Sequence, residues 1–312
     1  MILRVYMFSA ALLGAGAVSA QDVTSDAAQE LDVAPPSEPE IIVQAPKEPH
    51  ERRIELREMV ADVMNEPRKG RTVGTFLEAI CPKVMGLPEA ETRVIEERIR
   101  ENADALGANR RNPSENCNPN VYVIFLRDSF GKPEDWMTSE NDMIGHLLSY
   151  QRQEVLDEHD PVRAWTVQED RTADGTPLTN SYGQRISGAL SYGNSVRQLS
   201  RLRTNSQVEI SQAAVMFELA SAQGKTLQQL ADYASMRTFG NARGLKADVT
   251  PAADTILTLF RDEEPPEGLT TFDRAFVSKL YSTSRNSLAR RYYSNIAGKA
   301  FRMEKEEREE LP

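Results

Sequence analysis

Apolar positions in this chain alternate between helical spacing and continuous runs, and the changes of period mark its elements. From Arg52 onward Ile54, Leu56, Met59, Val60 and Val63 recur at helical intervals before Pro67 breaks the segment. Residues 75–80 read as a short helical turn ending at Cys81-Pro82. Leu87-Pro88-Glu89 opens a helix over about residues 88–106, with Val94, Ile95, Ile99, Ala103 and Leu106 on one face and Gly107 as its stop. The unbroken run Val121-Tyr122-Val123-Ile124-Phe125-Leu126, bounded by Pro119 and Asp128, predicts a buried strand. A short helix around residues 138–150 follows, then a long loop or hairpin over residues 168–195, rich in Gly, Ser, Thr and Asn. Its two Ser-Tyr-Gly triplets, at Ser181 and Ser191, are too short to define a repeat. Residues 196–202 and 212–219 read as two further strands. Thr226 caps a helix running to about Phe239, which Gly240 ends. Helices near residues 251–260, 270–281 and 285–302 complete the body. The pattern predicts an α+β fold, a small mixed sheet packed with several helices, in a single domain over residues 52–303.

The two ends break this pattern. Arg4 precedes an apolar stretch from Val5 to Val18, and Val18-Ser19-Ala20 offers small side chains, so residues 1–20 read as an export signal cleaved after Ala20. A retained membrane anchor is the alternative, but the stretch is shorter than the roughly 20 residues that span a bilayer and contains Gly14 and Gly16. No cysteine stands at the cleavage site to carry a lipid. Residues 21–51 are acidic and contain Pro35, Pro36, Pro39, Pro46 and Pro49, with too little apolar surface to offset ordering entropy; they read as a disordered leader. Residues 304–312 form a charged tail. Most of the formal net charge of -10 resides in these ends, leaving the interval 51–303 nearly neutral and without a broad electrostatic footprint for nucleic acid.

Cys81 and Cys117 are the only cysteines. In an exported protein an even pair reads as one disulfide, with two buried free thiols as the alternative. There is no CxxC motif, and two thiols with three scattered histidines lack zinc-ligand spacing. Of the histidines, His50 falls in the leader and His146 adjoins Leu147 and Leu148 in a core-facing helix. His159 sits between Glu158 and Asp160 in a polar turn before Pro161. HExxH, GxSxG, GxGxxG and P-loop motifs do not occur. Arg285, Arg290 and Arg291 beside Tyr292 and Tyr293 suit either a grip on phosphate or sugar polymer or an exposed helix face with aromatic anchors. Arg197, Arg201 and Arg203 alternate with apolar residues as the wet side of a strand would.

The most distinctive block spans residues 208–281: the strand-like QAAVMFEL, the helix TLQQLADYASMRTFG, then TILTLF and GLTTFDRAFVSKLY. In order and wording it resembles exported bacterial domains of unknown function that look like zincin-type metallopeptidases. Those show a strand, a helix carrying HExxH or a degraded version, a short segment, and a closing helix of the form LTxxDxxxLxxLY. Thr255 to Phe260 and Leu269, Asp273, Leu280 and Tyr281 match the last two parts. The resemblance places Ala231 and Ser235 at the two histidine positions and Asp232 at the glutamate position, so no imidazole is supplied to zinc. It implies a zincin-like C-terminal part without metal or other cofactor. The resulting expectation is a periplasmic or secreted, non-catalytic binding or envelope-associated protein, without transmembrane anchor or nucleic-acid partner. The alternative is a peptidase-like envelope hydrolase that uses carboxylates such as Asp232 and Asp273, or a metal site assembled from residues distant in sequence.

Overall fold

The computed structural model describes residues 49–65, 71–109, 117–138, 143–158, 160–178, 203–246 and 248–310, all within the compact unit Lys47–Pro312. The signal sequence with its cleavage after Ala20, the leader up to residue 48, His159, both Ser-Tyr-Gly triplets and the strand expected at 196–202 with Arg197 and Arg201 lie outside the described residues.

The fold is α+β. Among the described residues, four strands form one mixed sheet in the order β1-β2-β4-β3: β1 Pro82–Met85, β2 Val121–Leu126, β3 Val162–Thr172 and β4 Ser206–Glu218. β1, β2 and β4 run parallel, and β3 is the antiparallel edge. The central strands are buried on both faces, which explains why β2 is continuously apolar. Val121, Val123 and Phe125, with Ala213, Val215 and Phe217 of β4, point into a large core shared with the helices α1 Pro49–Val63, α2 Glu89–Ala105, α5 Leu227–Arg237, α6 Thr271–Ser282 and α7 Ala289–Glu310. The alternate residues Ile124, Leu126, Ala214 and Met216 meet Trp165 in a second core with α3 Pro133–Thr138 and α4 Ser149–Leu156.

Cys81 and Cys117 are disulfide-bonded, with Cα atoms 6.0 Å apart. Cys81 immediately precedes β1, and Cys117 lies four residues before β2. The bond therefore joins the entrances of two parallel neighbours whose register pairs Pro82 with Val121, with α2 as their crossover. Asn120 closes the same corner: its Oδ1 accepts from the Cys81 N–H at 2.8 Å, and its Nδ2 donates to the Ala79 carbonyl at 2.9 Å. Closing a loop of sequence separation 36 contributes about 4 kcal/mol in the chain-entropy model. Such a bond is consistent with an oxidising, extracytoplasmic compartment. Among the described residues no helix is long and apolar enough to cross a membrane.

Several elements differ from expectation. Residues 75–80 are not helical: Thr75 pairs with the strand β4, its N–H reaching the Val208 carbonyl at 3.3 Å and its carbonyl accepting from Ile210 at 3.0 Å. The helix expected at 138–150 is replaced by α3 and α4, since Pro133 takes the first-turn position where a missing N–H costs nothing. β3 occupies the start of the expected 168–195 loop. Its outer half is polar yet extended because its charges are paired, Arg171 with Glu209 of β4 and Asp170 with Arg71, which precedes β1. The expected helix at 251–260 contracts to a 3-10 turn, Ile256–Thr258. Pro49 begins α1, so His50 belongs to a helix rather than to the leader. The charged tail continues α7 to Glu310, and Glu304 accepts from Arg52 at 2.8 and 3.0 Å.

Candidate functional site

α5 is the central helix, with every residue from Gln229 to Arg237 buried. Thr226 starts it with a reciprocal capping box: the Gln229 N–H donates to Thr226 Oγ1 at 3.1 Å, and the Thr226 N–H donates to Gln229 Oε1 at 3.0 Å. The structure brings Ala231, Asp232 and Ser235 together where α5 packs on α2. Asp232 is fully buried, yet both its oxygens are occupied. Arg98 grips it with Nε at 2.8 Å and Nη2 at 3.0 Å, Asn102 Nδ2 donates at 2.6 Å, and the Leu269 N–H donates at 3.0 Å. Asn102 Nδ2 also reaches Ser235 Oγ at 3.1 Å, while that hydroxyl donates back to the Ala231 carbonyl at 2.8 Å. The loop carrying Leu269 comes so close that a Cβ on Gly268 would lie 2.7 Å from Asp232 Oδ2. Asp232 is thus a latch joining two helices and a loop, with four donors on a group that offers about four lone-pair sites.

Asp273 latches the next two elements. Thr255 Oγ1 donates to its Oδ1 at 2.6 Å, and the Ile256 and Thr270 N–H groups donate to its Oδ2 at 2.8 and 3.0 Å. Thr270 is the N-cap of α6 and Asp273 its N3 residue, so one carboxylate serves the capping box and the 3-10 turn together. No cation joins this set, and burial pushes the Asp273 carboxyl up to about 6 against the pull of its neutral donors.

The other candidates separate. Tyr292 is core, its hydroxyl donating to the Ser284 carbonyl at 3.1 Å, whereas Arg290 and Arg291 lie exposed on α7. Arg203 bridges Ser287. His50 is exposed in the first turn of α1, and His146 lies exposed in a turn rather than a core-facing helix.

A different pair on α5 faces open space. Arg237, one turn beyond the buried Tyr233, lines a cavity of about 610 Å³ together with Glu158, Asp160, Trp165 and Gly244 among others. Arg237 is fully buried, and each of its nitrogens is committed: Nε to the Ala242 carbonyl at 3.1 Å, Nη1 to Tyr233 Oη at 3.0 Å, Nη2 to Glu158 Oε1 at 2.5 Å. Burial alone would lower its pKa, but Glu158 and Tyr233 outweigh it and hold the guanidinium above its ordinary value. Burial likewise pushes the Tyr233 phenol up to about 12. In the sequence Arg237 does not stand out because a cation in the last turn of a helix is ordinary; its i,i+4 spacing from Tyr233 was the available signal. Among the described residues no three His, Cys, Asp or Glu side chains are grouped to hold a metal ion.

Comparison of the chain with protein-family models, with curated proteins and with solved structures finds no significant match.

Proposed function

We propose that this chain is an exported, non-catalytic binding protein of the cell envelope, periplasmic or secreted, whose C-terminal part keeps a zincin-like order of elements without the metal-binding helix. The observation that carries the reading is the saturation of Asp232. The carboxylate at the position of a catalytic glutamate is closed from solvent and held by Arg98, Asn102 and the Leu269 N–H. It has no lone pair left to take a proton from water, and a general base must reach the proton it removes. The flanking Ala231 and Ser235 supply no imidazole, and their mutual contact through Ser235 Oγ is a packing contact. The succession of strand β4, helix α5, 3-10 turn and capped α6 supports the zincin-like part, since it follows the order of the four sequence segments. The disulfide and the pattern of residues 1–20 support export.

The test is made on the full protein recovered from the periplasm of a bacterial host. Elemental analysis is expected to find no stoichiometric zinc, and chelators are expected to leave the unfolding midpoint unchanged, because a metal bound only by the native state adds stability that chelation removes. About one equivalent of tightly held zinc, with chelator-sensitive hydrolysis of a peptide or envelope polymer, refutes the proposal and favours the hydrolase.

A further inference from the structure

We infer that the cavity at the C-terminal end of α5 is a binding site for a guanidinium group, the side chain of an arginine residue in a peptide ligand. The inference deepens the binding role proposed above and rests on that reading.

Its floor holds two carboxylates with unmet hydrogen-bonding capacity. Asp160 is 7 % exposed; its Oδ1 accepts from Arg261 Nε at 2.9 Å, while its Oδ2 is buried with no partner. Arg261 turns its other two nitrogens to backbone, Nη1 donating to the Lys246 carbonyl at 2.7 Å and Nη2 to the Leu245 carbonyl. Glu158 repeats the arrangement: Oε1 accepts from Arg237, and Oε2 is buried without a partner among the described residues. Arg237 has each nitrogen already committed. A buried carboxylate oxygen without a donor is unfavourable by several kcal/mol at the order-of-magnitude level, so each marks a place where a donor can arrive from outside.

The space for those donors is beside Gly244. A Cβ built there would stand 3.6 Å from Asp160 Oδ2, 3.7 Å from Glu158 Oε1 and 3.3 Å from Arg237 Nη1. The unmet oxygen of Asp160 and the Arg237-bonded oxygen of Glu158 therefore approach one point that the chain leaves without a side chain. The wall as a whole bears five carboxylates against Arg237, Arg243 and Lys246, an excess that favours a cation. Trp165, largely desolvated, lines the same cavity, and an aromatic neighbour of this kind favours a weakly hydrated planar cation. Acceptors on two separate carboxylates suit the forked donors of guanidinium better than the compact head of an ammonium.

The experiment is isothermal titration of the full protein, at low ionic strength, with Nα-acetyl-arginine amide and with its neutral isostere Nα-acetyl-citrulline amide. The arginine probe is expected to bind, and the citrulline probe to bind at least about tenfold more weakly, as charge-assisted hydrogen bonds require. Gly244→Ala brings its methyl group to 3.3 Å from Arg237 Nη1, a contact that a shift of a few tenths of an ångström relieves, so the variant is expected to fold, with its unfolding midpoint measured alongside, and to weaken arginine binding at least about tenfold. Asp160→Asn is expected to weaken it similarly; should that variant fail to fold, Gly244→Ala and the citrulline comparison still decide. Absence of binding, equal affinity for the two probes, or unchanged affinity in folded Gly244→Ala overturns the inference. Zinc content and hydrolysis are not read in this titration, so its failure leaves the proposed function standing.

Discussion

Replacing Arg98 by Met tests how much the Asp232 latch contributes to the fold. The substitution keeps a long, flexible apolar stem over α2 but removes two of the four donors to a carboxylate that is 0 % exposed. Deleting one partner of a buried ion pair destabilises by about 3 to 5 kcal/mol, because the other charge stays buried and uncompensated. Two features place this pair at the lower end. Asn102 and the Leu269 N–H remain on Asp232, and the Arg98 side chain is 30 % exposed, which screens its charge. The expected loss is therefore about 3 kcal/mol, equivalent to a fall of roughly 6 to 12 °C in the unfolding midpoint for a protein of this size. Urea denaturation at pH 7 measures it directly, with the slope checked to be unchanged. The Arg98→Met/Asp232→Leu double variant sharpens the test. Removing both charges is expected to recover part of the single-variant loss, giving a coupling of about 1 to 3 kcal/mol. An Arg98→Met loss below about 1 kcal/mol, or strict additivity in the cycle, would mean that Asp232 is compensated by something other than Arg98 and would refute the latch.

Asp273 predicts a pH dependence. Its carboxyl lies near 6 in the fold against 3.8 when unperturbed, so the folded state binds the extra proton. That contribution is fully present below about pH 3.8 and is lost as pH rises through 6, amounting to about 3 kcal/mol at the order-of-magnitude level. Urea titrations between pH 4 and pH 7 are expected to show this decline in the wild type and a flatter profile in Asp273→Asn; parallel profiles would exclude the assignment. For the Cys81–Cys117 bond, non-reducing peptide mapping is expected to recover one linked pair. Replacing both cysteines by Ser is expected to cost about 4 kcal/mol, whereas two alkylatable thiols in native exported protein would contradict the bond.

Legibility in the sequence followed the locality of each cause. α2, β2, α5 and α6 were readable because their signals lie within themselves: the face of Ile95, Ile99 and Ala103, the unbroken Val121 to Leu126 run, the cap at Thr226, and the spacing of Leu269, Asp273, Leu280 and Tyr281. Even there the faces were blurred, for Val94 is 49 % exposed and Ile54 44 %. β1 and the outer half of β3 were missed because their cohesion comes from partners far along the chain. Four residues beginning at Pro82 carry no strand signal until β2 pairs with them, and the polar Gln168 to Thr172 segment is extended only because β4 receives it. The same rule governs the sites. Asp232 stood out by its place in a motif, and its role as a latch depends on Arg98, 134 positions away. The cavity was invisible for that reason: Glu158 and Arg237 are 79 positions apart.

These distances explain why one helix carries two opposite solutions for buried charge. Toward α2, the carboxylate of Asp232 receives every donor it can use, and such completeness fixes the packing of two helices and a loop. Beside the cavity, Arg237 is satisfied in the same way by Tyr233, Glu158 and Ala242, but its carboxylate partner and the neighbouring Asp160 each keep an oxygen unmet. Had stability been the sole requirement, Gly244 would be a natural place for a side chain that donates to both, since its Cβ position already lies within 3.7 Å of each carboxylate. The chain leaves that position bare. A saturated face and an unsaturated one on the same rigid helix separate holding the fold from meeting a ligand. That separation is why the two can be tested independently, Arg98→Met through stability and Gly244→Ala through binding.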